Sequence, residues 1–300
     1  MSTHRVPQGK IKGEFKVKYI HDEQTTNIHE KEGVCFITFP KLEAYNKHML
    51  HGFSTRLGGV SKGYLGAMNL SFTRNDEREA VLKNHQLFAK ALGYDEKNLV
   101  FSDQVHLTNI YKVSAKDKGK GIMKKSDIVE IDGLVTNEKN IPMITFYADC
   151  VPLFFYDPIE EVVAMAHAGW RGTVAGIGSK MVVYMQAEYG CQAKNIIVAI
   201  GPSICRKCYE VSKDVVDEFE QVFLKEDMNS MLEEKQNGKF QLDLQKANEL
   251  ILLKAGIQKK HLDITNLCTC CNSEVLFSHR ASKGKRGNLA GVIMLRDFTI

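Results

Sequence analysis

A chain of 300 residues is long enough to bury a substantial core, and 44% hydrophobic with 25% charged residues is an ordinary globular balance that excludes disordered, collagenous and fibrous classes. The net charge of +4 is small for this length. The lysine-rich stretches Lys10 to Lys18 and Lys116 to Lys125 have few interleaved aromatics for base stacking, so they read as solvated loops rather than a nucleic-acid surface.

No apolar run reaches the roughly 18 residues that span a bilayer, and the start, MSTHRVPQGKIKG, lacks the apolar centre of a secretory signal. A cytoplasmic protein is expected. Its eight cysteines then read as thiols or metal ligands rather than a disulfide framework.

In chain order, Phe15 to Ile20 and Val34 to Phe39 read as short strands around a polar turn, an appended hairpin within an N-terminal extension of residues 1–45. Glu77 to Leu92 carries apolar side chains at helical spacing, with Asp76 as candidate N-cap and Gly93 as the stop. Leu99 to Val105, Ile110 to Val113, Pro142 to Tyr147, Val151 to Tyr156, Val162 to His167 and Asn195 to Ile200 are short runs rich in Val, Ile and Phe, which suit buried strands. Helices are predicted over Thr173 to Tyr189, Lys213 to Phe223 and Leu244 to Ala255, the last capped by Asp243 and ended by Gly256. This irregular alternation predicts an α+β (mixed α/β) sandwich, a mixed sheet with packed helices, in a single domain over residues 46–300.

Three strand ends carry chemistry. In AMAHAGWRG, His167 closes an apolar strand before a tight turn into a helix, whose free N–H groups favour an anion; Arg171 in that turn is a candidate phosphate clamp or a cap for its own loop. In FYADCVPLF, the Asp149-Cys150 pair interrupts two apolar runs, and a buried carboxylate there needs compensation. His106, in SDQVHLTN, follows another apolar strand. Two histidines and a cysteine could give zinc three ligands and leave the fourth position for water or substrate. They could equally form a thiol nucleophile with two bases.

With HGFSTRLGGVS, NLSF, DQVH, DGLVT, ADCVPL, AHAGWRG, GPSICRKCYEV and FSHR in this order, the chain from about His51 onward resembles the laccase-domain-containing, polyphenol-oxidase-like family of bacterial purine nucleoside phosphorylases. The resemblance implies that His106, Cys150 and His167 bind a metal, zinc with copper as the alternative, and form the catalytic set. It implies phosphorolysis of adenosine, inosine and 5′-methylthioadenosine, with an accompanying adenosine deaminase activity. Purine nucleosides and phosphate are thus the expected partners; neither nucleic acid nor membrane is expected, and the chain is expected to be a monomer. Arg171 is the first candidate for phosphate, followed by Arg56 and Arg280; Asn69 of NLSF and Asp149 complete the candidate substrate-binding set. The sequence departs from the family at SHRASKGKRGNLAG, beside Arg280, and in its first 45 residues.

A true multicopper oxidase needs many imidazoles, and ten histidines with no His-x-His pair fit it poorly. The nucleic-acid deaminase pattern has only an echo, with His21 and Glu23 far upstream and Pro202 misplaced before Cys205 and Cys208. A non-enzymatic metal-binding scaffold is the remaining alternative. Separately, Cys205, Cys208, Cys268, Cys270 and Cys271 contain two Cys-x-x-Cys spacings, open to a structural zinc site, a redox clip or plain packed thiols. The resemblance implies a single metal.

Overall fold

The computed structural model describes residues 8–10 and 16–297. After a two-stranded ribbon of β1 (Gln8–Lys10) and β2 (Lys16–Lys18), the chain forms β3 (Asn27–Lys31), β4 (Val34–Thr38), α1 (Pro40–Glu43), β5 (Met49–Ser54) and α2 (Arg78–Leu92). There follow β6 (Val100–Phe101), β7 (Ile110–Lys112), β8 (Gly133–Thr136), β9 (Met143–Tyr147), β10 (Val151–Asp157), β11 (Val162–Ala168), α3 (Trp170–Val174), α4 (Ile177–Tyr189) and β12 (Ile197–Ile200). The last third holds β13 (Glu210–Val211), α5 (Lys213–Glu220), α6 (Lys225–Met231), β14 (Leu232–Glu234), β15 (Phe240–Leu242), α7 (Leu244–Lys254), β16 (Leu262–Ile264), α8 (His279–Ser282) and β17 (Leu289–Leu295).

Two six-stranded mixed sheets dominate, ordered β3-β4-β5-β17-β9-β6 and β16-β12-β10-β11-β8-β7. Their inner faces meet in one core, where Phe53, Tyr147, Phe154, Met165 and Ile197 interlock. The second sheet's outer face packs against α4 and α7 through Leu153, Phe155, Ala164, Met181 and Leu252. The outer face of the first packs against α2 through Leu50, Phe88, Ile144 and Val292. The mixed α/β sandwich expected from the irregular alternation is therefore present, with a helical layer on each side. β10 and β11 are buried at every position, which is why their sequences read as unbroken apolar runs rather than alternating ones. Gly291 in β17 lets the sheets close: a Cβ there would sit 2.7 Å from the Phe154 ring.

The segment from Val34 to Phe39 does contain a strand, but its partners differ from the appended hairpin expected. β4 pairs with β3 on one side and with β5 on the other, so residues 27–38 extend the first sheet. The Phe15 to Ile20 strand shortens to β2, and Phe15 itself lies outside the described residues. Asp76 does not cap α2; its carboxylate accepts from Ser61 and Asn69 side chains, and the helix begins one residue later than expected, after Glu77. Gly93 does end it, at φ 91°. The helix expected over Thr173 to Tyr189 starts earlier and breaks in two at Gly176, whose φ of 75° is a left-handed conformation. Asp243 caps α7 by accepting from the Lys246 N–H. Leu99 to Val105 shrinks to two strand residues, because from Ser102 onward the backbone turns toward the site described below.

Phe154 is fully buried between the sheets. Phe154→Ala is expected to lower the unfolding free energy by about 3–5 kcal/mol, which a urea titration measures.

Candidate metal centre and its cavity

β10 and β11 are antiparallel, with Val151 opposite Ala168 and Pro152 opposite His167. This register brings Cys150, just ahead of β10, beside His167 near the end of β11. His106 arrives from the loop after β6 and holds a left-handed φ of 64°, unusual for a residue with a Cβ. One donor atom from each of His106, Cys150 and His167 lies within 4.8 Å of the others. The two imidazole rings meet edge to face with centroids 4.7 Å apart. His167 is buried, Cys150 half-buried and His106 exposed, so the group opens to solvent on the His106 side.

Asp132, fully buried ahead of β8, organises this convergence. Its Oδ1 lies 2.8 Å from His167 Nδ1, leaving Nε2 as the ring nitrogen that faces Cys150. The same carboxylate accepts the backbone N–H groups of Val105, His106 and Leu107 at 3.1, 3.1 and 2.8 Å. Its backbone carbonyl receives the His167 N–H at 2.8 Å. No motif spacing singles out Asp132 in the sequence, although DGLVT presents it: a carboxylate set between apolar residues that must find compensation. Gly169 is a second hidden requirement. A Cβ on it would lie 2.5 Å from His106 Nδ1 and 3.3 Å from Cys150 Sγ.

Burial alone would raise the Cys150 thiol, but the His167 charge and hydrogen bonds from His106 and His167 outweigh it and bring the thiol down to about 6. Burial would likewise lower His167, yet Cys150 and Asp132 raise it to about 9. Asp132 is held below the usual carboxylate range, since the His167 contact and backbone N–H groups overcome its burial. Without metal, Cys150 and His167 therefore form a thiolate–imidazolium pair between about pH 6 and pH 9.

The group lies in the wall of a cavity of about 360 Å³, within the range of about 300–1,000 Å³ usual for small-molecule sites. Phe72, Phe101, Phe146 and Tyr147 supply its aromatic surface, and Arg74 and Arg286 its positive charge. Both arginines donate to the Asn288 side-chain carbonyl. Nε of Arg286 and Oγ of Ser102, another lining residue, are buried and have no partner.

None of the expected substrate-binding residues lines this cavity, although Asp149 adjoins Cys150 in the chain. Arg56 donates to the carbonyls of Gly66 and Ser273 and stacks on Phe277, so its guanidinium is occupied within the fold. Asn69 is fully buried and saturated by Ser71, Asp76 and Asn288. Asp149 accepts the Thr269 hydroxyl and the Arg280 N–H, tying the residue beside Cys150 to two distant segments. Arg280 grips the carbonyls of Cys208 and Glu210. Arg171 is exposed, with its guanidinium 4.3 Å from the Trp170 ring centroid. No signal short of tertiary structure separates these five from Arg74 and Arg286.

Residues 50–296 match the family described as multi-copper polyphenol oxidoreductase laccase. The chain belongs to this family. It is 36% identical over 253 residues to purine nucleoside phosphorylase YlmD of Bacillus subtilis, covering 84% of this chain and 90% of the relative. It is 32% identical over 260 residues to mouse purine nucleoside phosphorylase LACC1, covering 83% of this chain and 56% of that longer protein. The crystal structure of YlmD from Geobacillus stearothermophilus superposes with a TM-score of 0.83 at 32% identity, covering 90% of this chain and 99% of that one. The crystal structure of the Bacillus licheniformis hypothetical protein YfiH gives the same TM-score at 30% identity, covering 90% and 99%. No helix among the described residues is long and apolar enough to cross a membrane.

In metal-free protein, alkylation of Cys150 followed by peptide mass spectrometry should reach half its maximal rate near pH 6, because the thiolate persists down to that point. His167→Ala should move this midpoint up toward the ordinary thiol value of about 8.5. Gly169→Ala should displace His106 and Cys150 and weaken zinc binding at least about tenfold, the lower range for disturbed ligand positioning, as read by competition with a chromogenic chelator.

Proposed function

We propose that this chain is a metal-dependent purine nucleoside phosphorylase that converts adenosine, inosine and 5′-methylthioadenosine with phosphate to the free base and the pentose 1-phosphate, and that also deaminates adenosine. The observation that carries this reading is the convergence of His106, Cys150 and His167 on a cavity that also holds aromatic rings and two arginines. The names of the relatives support the phosphorylase part of this reading.

The donor set, two imidazoles and a thiolate in a cavity wall, fits zinc, which such sites hold with three protein ligands. His106, Cys150 and His167 would hold the ion, and Asp132 would fix the His167 tautomer. Copper competes for the same atoms. Bound zinc supplies Lewis acidity and an acidified water near neutral pH, which suits both a departing purine and attack at purine C6. The multicopper reading of the family name is disfavoured by the donors: the metal-capable groups among the described residues contain two histidines between them.

In phosphorolysis a phosphate oxygen bonds to C1′ as the bond from C1′ to the purine breaks, and the electron pair leaves with the base. Arg74 and Arg286 are placed to bind the anion, since the two cations share one neutral acceptor, Asn288, and the buried Arg286 Nε lacks a partner. Phe72, Phe101 and Phe146 offer the flat apolar surface a purine needs. Ser102 Oγ supplies a buried hydrogen-bonding group. His106, at the exposed side of the centre, borders the route by which solvent reaches it.

Pure protein supplied with phosphate and each nucleoside should release free base and pentose 1-phosphate, with Cys150→Ala losing this turnover; equal product from the variant would exclude the assigned centre. Arg74→Ala should raise the phosphate KM about tenfold or more, the effect of losing a charged hydrogen bond of about 1.5–3 kcal/mol. Steady-state kinetics at varied phosphate would show it.

A further inference from the structure

Apart from the His106, Cys150 and His167 group, the described residues contain one other set of side chains able to hold a metal ion: Cys205, Cys208, Cys268 and Cys271. All four are free thiols, and their sulfurs lie within 4.8 Å of one another. Cys208 Sγ is 3.4 Å from Cys271 Sγ, and Cys205 Sγ is 4.0 Å from it. Four sulfurs at about 2.3 Å from a tetrahedral zinc are separated by about 3.8 Å. Cys270, the fifth cysteine of the region, is outside the set.

The backbone around the sulfurs is arranged for thiolates. Cys268 Sγ accepts the N–H of Cys205 at 3.2 Å and of Cys271 at 3.4 Å. Each Cys-x-x-Cys pair closes on a tight turn, with Cys208 N–H donating to the Cys205 carbonyl and Asn272 N–H to the Cys268 carbonyl. The two turns are joined by a bridge between Ser203 and Cys268 and by the Thr269 N–H donating to the Ser203 carbonyl. A single disulfide would cross-link one pair, whereas four mutually close sulfurs match the closed ligand set of a structural zinc ion.

We propose that Cys205, Cys208, Cys268 and Cys271 form a second, structural zinc site, a clip that fastens the segment after β12 to the segment after β16. Binding one zinc ion places four thiolates on it, and each thiol that is protonated beforehand releases its proton to solvent. The clip borders the catalytic region through short connections. Thr269, between two of the ligand cysteines, donates to the Asp149 carboxylate, and the N–H of Ile204, next to Cys205, donates to the Asp149 carbonyl. Arg280 joins the same carboxylate by its N–H and the Cys208 carbonyl by its guanidinium. Zinc in the clip thus holds in place the residue preceding Cys150.

The test uses the full chain carrying His106→Ala and Cys150→Ala, so that its outcome does not depend on the catalytic centre. Purified under reducing conditions, this variant is expected to contain one zinc per chain by elemental analysis, and adding Cys271→Ser should bring zinc to background. Protein produced in cobalt medium should show tetrahedral visible bands with strong thiolate-to-cobalt charge transfer. Cys271→His, which keeps four ligands, should retain the metal with a weaker charge-transfer band. A chelator should lower the thermal midpoint of the His106→Ala, Cys150→Ala protein and leave that of the added Cys271→Ser variant unmoved. A metal-free His106→Ala, Cys150→Ala chain, zinc content indifferent to Cys271→Ser, or a disulfide joining any of the four cysteines in the reduced preparation would overturn the proposal.

Discussion

One buried carboxylate organises the centre. Asp132 accepts three consecutive backbone N–H groups from the loop carrying His106 and contacts the ring of His167, so two of the three donor residues take their positions from the same two oxygens. A fully buried acid is costly unless each oxygen is satisfied, and here the satisfying groups are the ones whose placement matters. The arrangement also holds the left-handed backbone at His106, because the N–H groups on both sides of that residue converge on one acceptor.

The rest of the scaffold sets what Asp132 can reach. It precedes β8, which pairs with β11, and β11 pairs with β10, so neighbouring strands deliver Asp132, His167 and Cys150 to one end of the second sheet. The absence of a side chain at Gly169 then lets His106 approach. Within this frame the thiolate of Cys150 and the imidazolium of His167 stabilise each other without metal, and a bound cation would take over the role of counter-charge to the thiolate.

The fold was legible in sequence where a segment's burial is uniform. β10, β11 and β12 are covered on both faces, so their residues had to be apolar whatever their neighbours were. It was less legible where pairing decides. Val34 to Phe39 has the composition of a strand, but only the position of β5 beside β4 makes it part of the main sheet rather than an outlying hairpin. Asp76 resembles a helix cap, but its carboxylate accepts from Ser61, Asn69 and the N–H of Glu77, and Glu77 takes the N-cap position.

By itself the sequence determined the mixed sandwich, the strand-end positions of Cys150 and His167, and, through its ordered motifs, the family to which the chain belongs, whereas His106 lies in the loop after β6 rather than at a strand end. These follow from local patterns, since periodicity, apolar runs and short motifs are properties of neighbouring residues. The tertiary structure alone decided which polar groups meet. Arg56 and Arg280 stand in motifs yet hold backbone carbonyls, while Arg74 and Arg286, 212 positions apart in the numbering, share Asn288 in the cavity wall. An arginine's partners depend on the three-dimensional placement of acceptors far away in the chain, and no spacing rule encodes that distance. The four clustered cysteines follow the same logic, since the sulfurs of two Cys-x-x-Cys turns come together only when β12 and β16 lie side by side.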